Sequence, residues 1–365
     1  MRIERRLTTP RWLVVAVPVA SLVAAFAAAA IVLLIAGQDP GATYARLFDR
    51  AFVAPGAISS TLVTATPLLF TGLAAAAAFR MRLWNIGGEG QLYMGAVGAS
   101  GVGLLLRDQP AALIIAGMIA GGLIAGAAWS SLPGVLKAYF NTNEIITSLM
   151  LNYVAGLFLT YLIFDSRSFW RELGTFSSRV FPQGKQLPDA AIWPAFDAGI
   201  AFIPLGFLLG LVAASGLWLF YRSTSFGFQA RVLGDSTSAA RYAGIKTRRV
   251  VVAMMGLSGA LAGLGGASEI GDFRHVLDPR GLQQAGFGYS GIVVAALARY
   301  NPFAVALVAF LLGGLANAGY SLQGPDFPAG LVGVLQGMIL FFALGGELLL
   351  RYRVSFGVRL AAALS

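Results

Sequence analysis

The chain has 365 residues, 57% hydrophobic and only 12% charged, with a formal net charge of +10 and no cysteine. A charged share about half that of a soluble domain leaves too much apolar surface for water, so lipid must be the solvent for most of the chain. Without cysteine there are no disulfides, thiolate metal sites or cysteine nucleophiles, and the single histidine, His275, cannot build a metal cluster alone.

In lipid every backbone N–H and C=O must be satisfied inside the segment. Long apolar runs without strand-like alternation therefore predict helices, and the fold class is an all-α polytopic membrane protein. Met1 to Arg11 carries Arg2, Arg5, Arg6 and Arg11 ahead of an apolar run from Trp12 to Ala36. The small residues Ala27 to Ala30 suggest a signal peptide, but the run is too long for one and more spans follow it. The reading is an uncleaved first span, with the N-terminal segment and span covering 1–36. Further apolar runs lie at 57–79, 86–106, 111–136, 145–164, 200–220, 250–270, 286–298, 303–320 and 327–346. Each except 286–298 approaches the roughly 20 residues needed to cross a bilayer. That exception opens with glycines and reads as a broken or re-entrant helix. The expectation is about ten crossings in one transmembrane domain, 1–365, with a core bundle over 57–346.

Threading this count with the N-terminus inside places the N-terminal arginines, Arg80, Arg82, Lys137, the 221–249 loop, Arg299, Arg351, Arg353 and Arg359 on the cytoplasmic face. The outer face receives 37–56, Arg107 with Asp108, a loop at 165–199, the 271–285 segment and Asp326. Lys and Arg then favour the inside by 17 to 9, and both termini lie in the cytoplasm. This bias accounts for the positive charge. The basic residues do not gather on one compact face, so no nucleic-acid partner is expected. The 165–199 loop balances Arg167, Arg171, Arg179 and Lys185 against Asp165, Glu172, Asp189 and Asp197, as suits an external cap.

The 221–249 loop is the most informative segment. It holds Arg222, Arg231, Arg241, Lys246, Arg248 and Arg249 against one acid, Asp235, between two long apolar runs. A short, helix-prone, basic loop between spans is what a soluble partner needs in order to grip a membrane protein. No G-x-x-x-x-G-K-[ST] phosphate loop occurs, so this chain does not hydrolyse ATP by that route.

Several polar residues inside apolar runs need explaining. Glu89 lies in Trp84-Asn85-Ile86-Gly87-Gly88-Glu89-Gly90-Gln91, where an ionised carboxylate is costly at membrane depth. It reads either as part of a polar bend lining a solute route or as an interfacial cap tied to Arg80 or Arg82. Asn141-Thr142-Asn143-Glu144 precedes another span; Asn143 with Glu144 reads first as a helix cap. Asn152 lies deeper, where a buried amide bonds across helices or to cargo. Glu269, Asp272, Arg274, His275, Asp278 and Arg280 form a mixed-charge cluster that reads first as a solvated loop of paired charges. The segments 85–99 and 285–299 both open with spaced glycines before a small-residue helix, a faint echo of the two-halves construction of many transporters.

WNIGGEGQLYMGA, NTNEIITSLMLNY, RVLGDSTSAARYAGI and GYSGIVVAALARYNP, in this order, resemble integral-membrane permeases of ABC importers. The group is the ribose and branched-chain amino acid permease superfamily, nearest its nucleoside or simple-sugar type, and the likeness covers roughly 60–345. The resemblance implies that Arg231 to Gly244 forms a coupling helix docking on a separate ATPase subunit. Ala239, Ala240 and Gly244 would be its close-packing positions, Arg231 and Arg241 its rim contacts, and Gly234 and Asp235 part of the same loop. It further implies a second permease subunit, the same or different, an extracytoplasmic substrate-binding protein, no cofactor, and a multi-pass place in the cell (inner) membrane. By position, Asn85, Glu89, Gln91, Glu144 and Asn152 are candidates to line the translocation path or hold its bend. Two other classes remain: a secondary transporter or channel using Glu89 or Glu269 as an ion site, and a polytopic membrane enzyme, for which clustered His, Asp or metal ligands are missing.

Overall fold

The computed structural model describes residues 2–5, 10–174 and 176–322, then 330, 333–335, 337–339, 341–342, 345–346 and 352–355. The expected span at 327–346 is only partly among these, and Arg6, Asp326, Arg351 and Arg359 of the charge map lie outside them. Two compact units are distinguished, residues 1–47 with 319–365, and residues 48–318.

In the first unit, α1 (Arg11–Ile35) is followed by α2 (Pro40–Phe48). Asp39 starts α2 by accepting from the Gly41 amide at 2.8 Å. Tyr44 ties the two helices together, donating to the Phe26 carbonyl at 2.6 Å while the two rings meet edge-on. Arg2–Arg5 pairs antiparallel with Tyr352–Ser355.

The second unit contains α3 (Ala57–Phe79), α4 (Gly88–Leu105), α5 (Ala111–Phe140), α6 (Glu144–Thr160), α7 (Phe176–Val180), α8 (Leu205–Ser223), α9 (Ser225–Asp235), α10 (Thr237–Tyr242), α11 (Thr247–Ser268), α12 (Pro279–Ala285), α13 (Phe287–Leu297) and the first part of α14 (Pro302–Leu322). Single π-helical turns extend α6 to Asp165 and α11 to Arg274. Its centre is the packing of α4, α5 and α11. Gly95, Gly122 and Gly126 stand directly against the backbone of α11 around Gly259 and Gly263, so the helices approach to a distance that excludes any side chain. α3 lies beside them with an almost wholly buried surface from Ala65 to Phe79.

Six described helices are long and apolar enough to cross a membrane, or up to seven if a bent pair (Val19–Ile35 with Pro40–Val53) is one span. The chain is thus a mostly helical, multi-pass membrane protein, and the count of ten is finer than the described helices support. Two expected runs fall short for physical reasons. The run at 86–106 becomes an 18-residue helix with Glu89 and Gln91 in its first turns. The run at 286–298 becomes the 11-residue α13, about 16 Å long, half the hydrocarbon thickness, as the glycine-rich opening suggested.

Two sets of loops come together. In one, the turns around Arg82, Lys137 to Glu144, Asp235 to Arg241 and Thr247–Arg248 border a common groove. In the other, the 165–199 loop folds back on the end of α11: Leu187 N donates to the His275 carbonyl at 2.9 Å and Trp193 N to the Gly271 carbonyl at 3.0 Å. Each set draws on one group of the charge map.

Candidate functional site

Between α3 and α4 the chain leaves helix after Phe79 and re-enters at Gly88, passing from the exposed Arg80, Arg82 and Trp84 to the buried Asn85 and Gly87. The backbone groups freed there need partners, because no water is available in lipid to supply them. Buried side chains do so. Asn85 accepts from the Gly87 amide at 3.0 Å and from Gln91 Nε2 at 2.9 Å, and donates to Ser258 Oγ of α11 at 2.9 Å. Ser148 of α6 accepts from the Ile86 amide at 3.1 Å. Asn152, one turn further along α6, accepts from the Gly90 amide at 2.9 Å and donates to the Ile86 carbonyl at 2.9 Å. Asn85, Gln91 and Asn152 thus belong to one polar cluster that holds the break open and fixed.

Glu89 completes the cluster by capping a second helix. Its Oε2 accepts from the amides of Gly288 at 2.6 Å and Tyr289 at 3.2 Å, the first turn of α13, and its Oε1 accepts from Tyr93 Oη at 2.8 Å. The carboxylate is only 2% exposed, so the helix N-terminus, with its free N–H groups and positive dipole end, is its electrostatic partner. Gly288 makes this approach possible, since a Cβ there would strike the backbone of Gly88 and Glu89. The two glycine-led segments that echo each other in sequence therefore meet head to head. The expected tie of Glu89 to Arg80 or Arg82 is not what forms: Arg80 instead lies over the Tyr221 ring, 4.7 Å from its centroid.

Glu144 meets the cluster only through its carbonyl, which accepts from Ser148 Oγ at 2.6 Å. Asn143 caps α6 by accepting from the Ile145 amide at 2.9 Å, as expected, and the Glu144 carboxylate pairs with Lys137 at 2.9 Å at the basic end. The mixed-charge segment after α11 is also corrected. Glu269 is buried rather than solvated, and Arg274 bridges it at 2.8 Å to Asp278 at 3.2 Å. Burial follows from the π-helical turn, which carries the apolar face of α11 on past Ser268.

At the basic end α9 and α10 form two short helices between α8 and α11. Thr224 and Ser236 cap them through the amides of Gly227 and Ala239. Gly234 packs on the turn after α3, where a Cβ would come within 2.9 Å of Met81 Cα. Ala240 is fully buried. Asp235, Ala239, Arg241 and Gly244 are exposed, and Arg231 is half-buried. Gly244 ends α10 with φ +72° and nothing within 4 Å of a Cβ, so the left-handed turn, rather than a close neighbour in this chain, requires glycine.

Residues 57–344 match the family described as the permease component of the branched-chain amino acid transport system. The chain belongs to this family. The permease is 32% identical to a glucose ABC transporter permease protein of Haloferax volcanii, over 97% of its own length and 93% of the relative. It is 31% identical to a guanosine ABC transporter permease protein of Bacillus subtilis, over 89% of its length and 92% of the relative. A nucleoside ABC transporter permease protein of Lactococcus lactis subsp. cremoris is 28% identical over 90% of each chain.

Sequence reasoning missed three features of the permease. Ser130 and Ser258 are polar partners of the break, yet a lone serine in an apolar helix carries no mark of its partner. Tyr242 is 97% exposed at the tip of α10, and an aromatic in a basic, polar loop is its signal in the sequence. Tyr289 is 43% exposed at the start of α13, and nothing in its local sequence marks it.

Proposed function

We propose that the permease forms the translocation path of an ATP-binding-cassette importer for a nucleoside or related simple sugar, and is itself not an enzyme. Its 221–249 loop couples it to a separate ATPase subunit. A second permease subunit and an extracytoplasmic substrate-binding protein complete the assembly in the cell inner membrane, with about ten crossings and both termini in the cytoplasm. Family membership and the named relatives support the transport class.

The observation that carries the coupling role is the tip of α10. Tyr242 projects almost fully exposed beside Ala239, Arg241 and Gly244, while Gly234 and Ala240 anchor the same helix pair to the bundle. An exposed aromatic and arginine on a rigidly seated helix is the composition of an interface anchor. An ion-gradient mechanism would need a free intramembrane carboxylate, whereas Glu89 is engaged by three donors and Glu269 by Arg274. The chain contains no cysteine, so Tyr242→Cys creates a unique thiol. It is expected to crosslink to the ATPase subunit in native membranes, with a yield that changes on ATP binding. No crosslink in any nucleotide state, with uptake intact, sinks the assignment.

A further inference from the structure

The groove at the basic end is built largely from the ends of membrane spans. Phe79 closes α3, Phe140 closes α5, Glu144 opens α6 and Thr247 opens α11. The turn at 81–83, the last turn of α5 and the first turn of α11 all line the groove, which has a volume of about 650 Å³. The pair α9 and α10 completes its wall and is seated there by Gly234 on the Met81 backbone. With 30 residues, α5 is about 45 Å long, the thickness of the hydrocarbon core plus both headgroup layers. Its last turn therefore lies at headgroup level.

The charges on this lining do not balance. Arg82, Arg241 and Arg248 border it, and among the described residues none of them is paired with a carboxylate. Of the two acids on the lining, Glu144 is taken by Lys137 at 2.9 Å, which leaves Asp235 against three guanidinium groups. Arg248 is held over the Tyr139 ring, 5.2 Å from its centroid, where α11 meets α5. Tyr139 also ends an apolar stripe. Leu132, Val135, Leu136, Tyr139 and Phe140 recur at helical spacing on α5 and are all exposed. A basic pocket and an apolar track thus meet at one aromatic residue, at the depth where tyrosine suits both media.

The geometry points to a site for the headgroup of an anionic glycerophospholipid, its phosphate held by Arg82, Arg241 and Arg248 and its acyl chains lying along the exposed face of α5. Guanidinium forks match phosphate oxygens, and basic pockets between membrane helices hold such headgroups. A free phosphate would leave the α5 stripe out of the site. So would an acidic segment of an ATPase, and the exposed residues assigned to that contact, Ala239, Tyr242 and Gly244, do not line the groove. Gly244 instead borders a second groove with Lys246 and Arg249, so the basic residues of the loop divide between two grooves. The site needs only a membrane-embedded chain and stands whatever the cargo.

The test is native mass spectrometry of the full-length permease, purified alone and with the subunits it retains, titrated with phosphatidylglycerol or phosphatidylcholine. Phosphatidylglycerol is expected to bind about tenfold more tightly. Arg82→Asn together with Arg248→Gln is expected to remove that preference and leave phosphatidylcholine binding unchanged. Asparagine tolerates the left-handed φ of +57° at position 82, so the turn is kept. Lys246→Gln with Arg249→Gln removes the same charge from the other groove and is expected to change nothing. Equal weakening by both pairs overturns the site in favour of general attraction to a positive surface. A large excess of inorganic phosphate is expected not to displace the lipid, and displacement overturns the lipid assignment in favour of a free anion. Binding to the permease alone that vanishes when a subunit is bound makes the groove a protein interface and also overturns it. Phosphatidylglycerol with a photoreactive group on an acyl chain gives a readout on the wild-type protein. Adducts are expected within 132–140, and adducts confined to other helices overturn the site.

Discussion

Glu89→Ala is the sharpest perturbation of the buried cluster. The substitution leaves three donors without an acceptor: the amides of Gly288 and Tyr289 and the Tyr93 hydroxyl. A buried donor left unsatisfied costs about 1–2 kcal/mol net, so the three together cost about 3–6 kcal/mol, enough to threaten the fold. Glu89→Gln keeps one carbonyl oxygen for the helix amides, and the Tyr93 hydroxyl can turn to accept from the new amide, so its cost is about 1–2 kcal/mol. Thermal unfolding of the detergent-solubilised protein should rank wild type above Gln above Ala. Amide exchange at Gly288 and Tyr289 should accelerate in the same order. The reasoning is refuted if Glu89→Ala unfolds with wild type. It is refuted differently if Glu89→Gln abolishes transport at full stability, because the charge itself would then be doing chemistry that helix capping does not need.

Gly244→Val forces a β-branched residue into a left-handed turn at φ +72°, a strain of about 1–2 kcal/mol confined to the end of α10. It is expected to uncouple ATPase activity from uptake without loss of membrane insertion, while Gly244→Asn, which tolerates that conformation, retains coupling; wild-type uptake by the Val variant is the contrary result. Arg274→Leu strips the buried Glu269 of its partner and should lower stability by about 3–5 kcal/mol, with Glu269→Gln in the same background restoring part of it in thermal unfolding. Tyr300→Ala removes an edge-on contact to Phe79 at 6.0 Å between ring centroids, and a double-mutant cycle with Phe79→Ala should return a coupling of about 0.5–1.5 kcal/mol.

The parts legible in the sequence were those governed by local rules. Apolar run length located α3, α5, α6, α8, α11 and α14, and Asn143 announced its cap one residue before its helix. Charge bias grouped Arg82, Lys137 and the 235–248 turns, which do share one groove. The rest depends on contacts that no local pattern carries. The partner of Glu89 is a backbone amide 199 residues away, and that of Asn85 is a serine 173 residues away. Neither a backbone N–H nor a lone serine leaves a mark in hydropathy. Nothing local identifies the partner of Glu144, because a carboxylate at a span start looks the same whether its partner is solute, dipole or a lysine seven residues back. Glu269 was misjudged because composition does not reveal that a π-helical turn carries the apolar face past it.

The cluster and the basic end are linked by direct contacts. Gly234 rests on Met81 and on the Arg80 carbonyl. Arg80 lies over Tyr221, and Tyr221 Oη donates to the Ala77 carbonyl of α3 at 2.6 Å. Phe79, on the last turn of α3, meets Tyr300, which follows α13 by way of two left-handed residues, Arg299 and Tyr300, at φ 49° and 60°. α13 is short and packed on α3, and its first amides are held by Glu89. The packing on α3 runs along the helix, with Thr71 Oγ1 donating to the Phe287 carbonyl at 2.9 Å, Gly291 against Thr71 and Val294 against Gly72. Strained residues persist where the surroundings hold them, and the left-handed pair is held here by the Ala296 and Ala295 carbonyls and by the Phe79 ring. Under the proposed function, displacement of α9 and α10 by the ATPase would reach the first turn of α13 by this route, since Glu89 caps that turn. Contact alone does not establish coupling. The physical requirement is that the first turn of α13 has two arrangements, and the amide exchange rate of Tyr289 with and without nucleotide measures that directly.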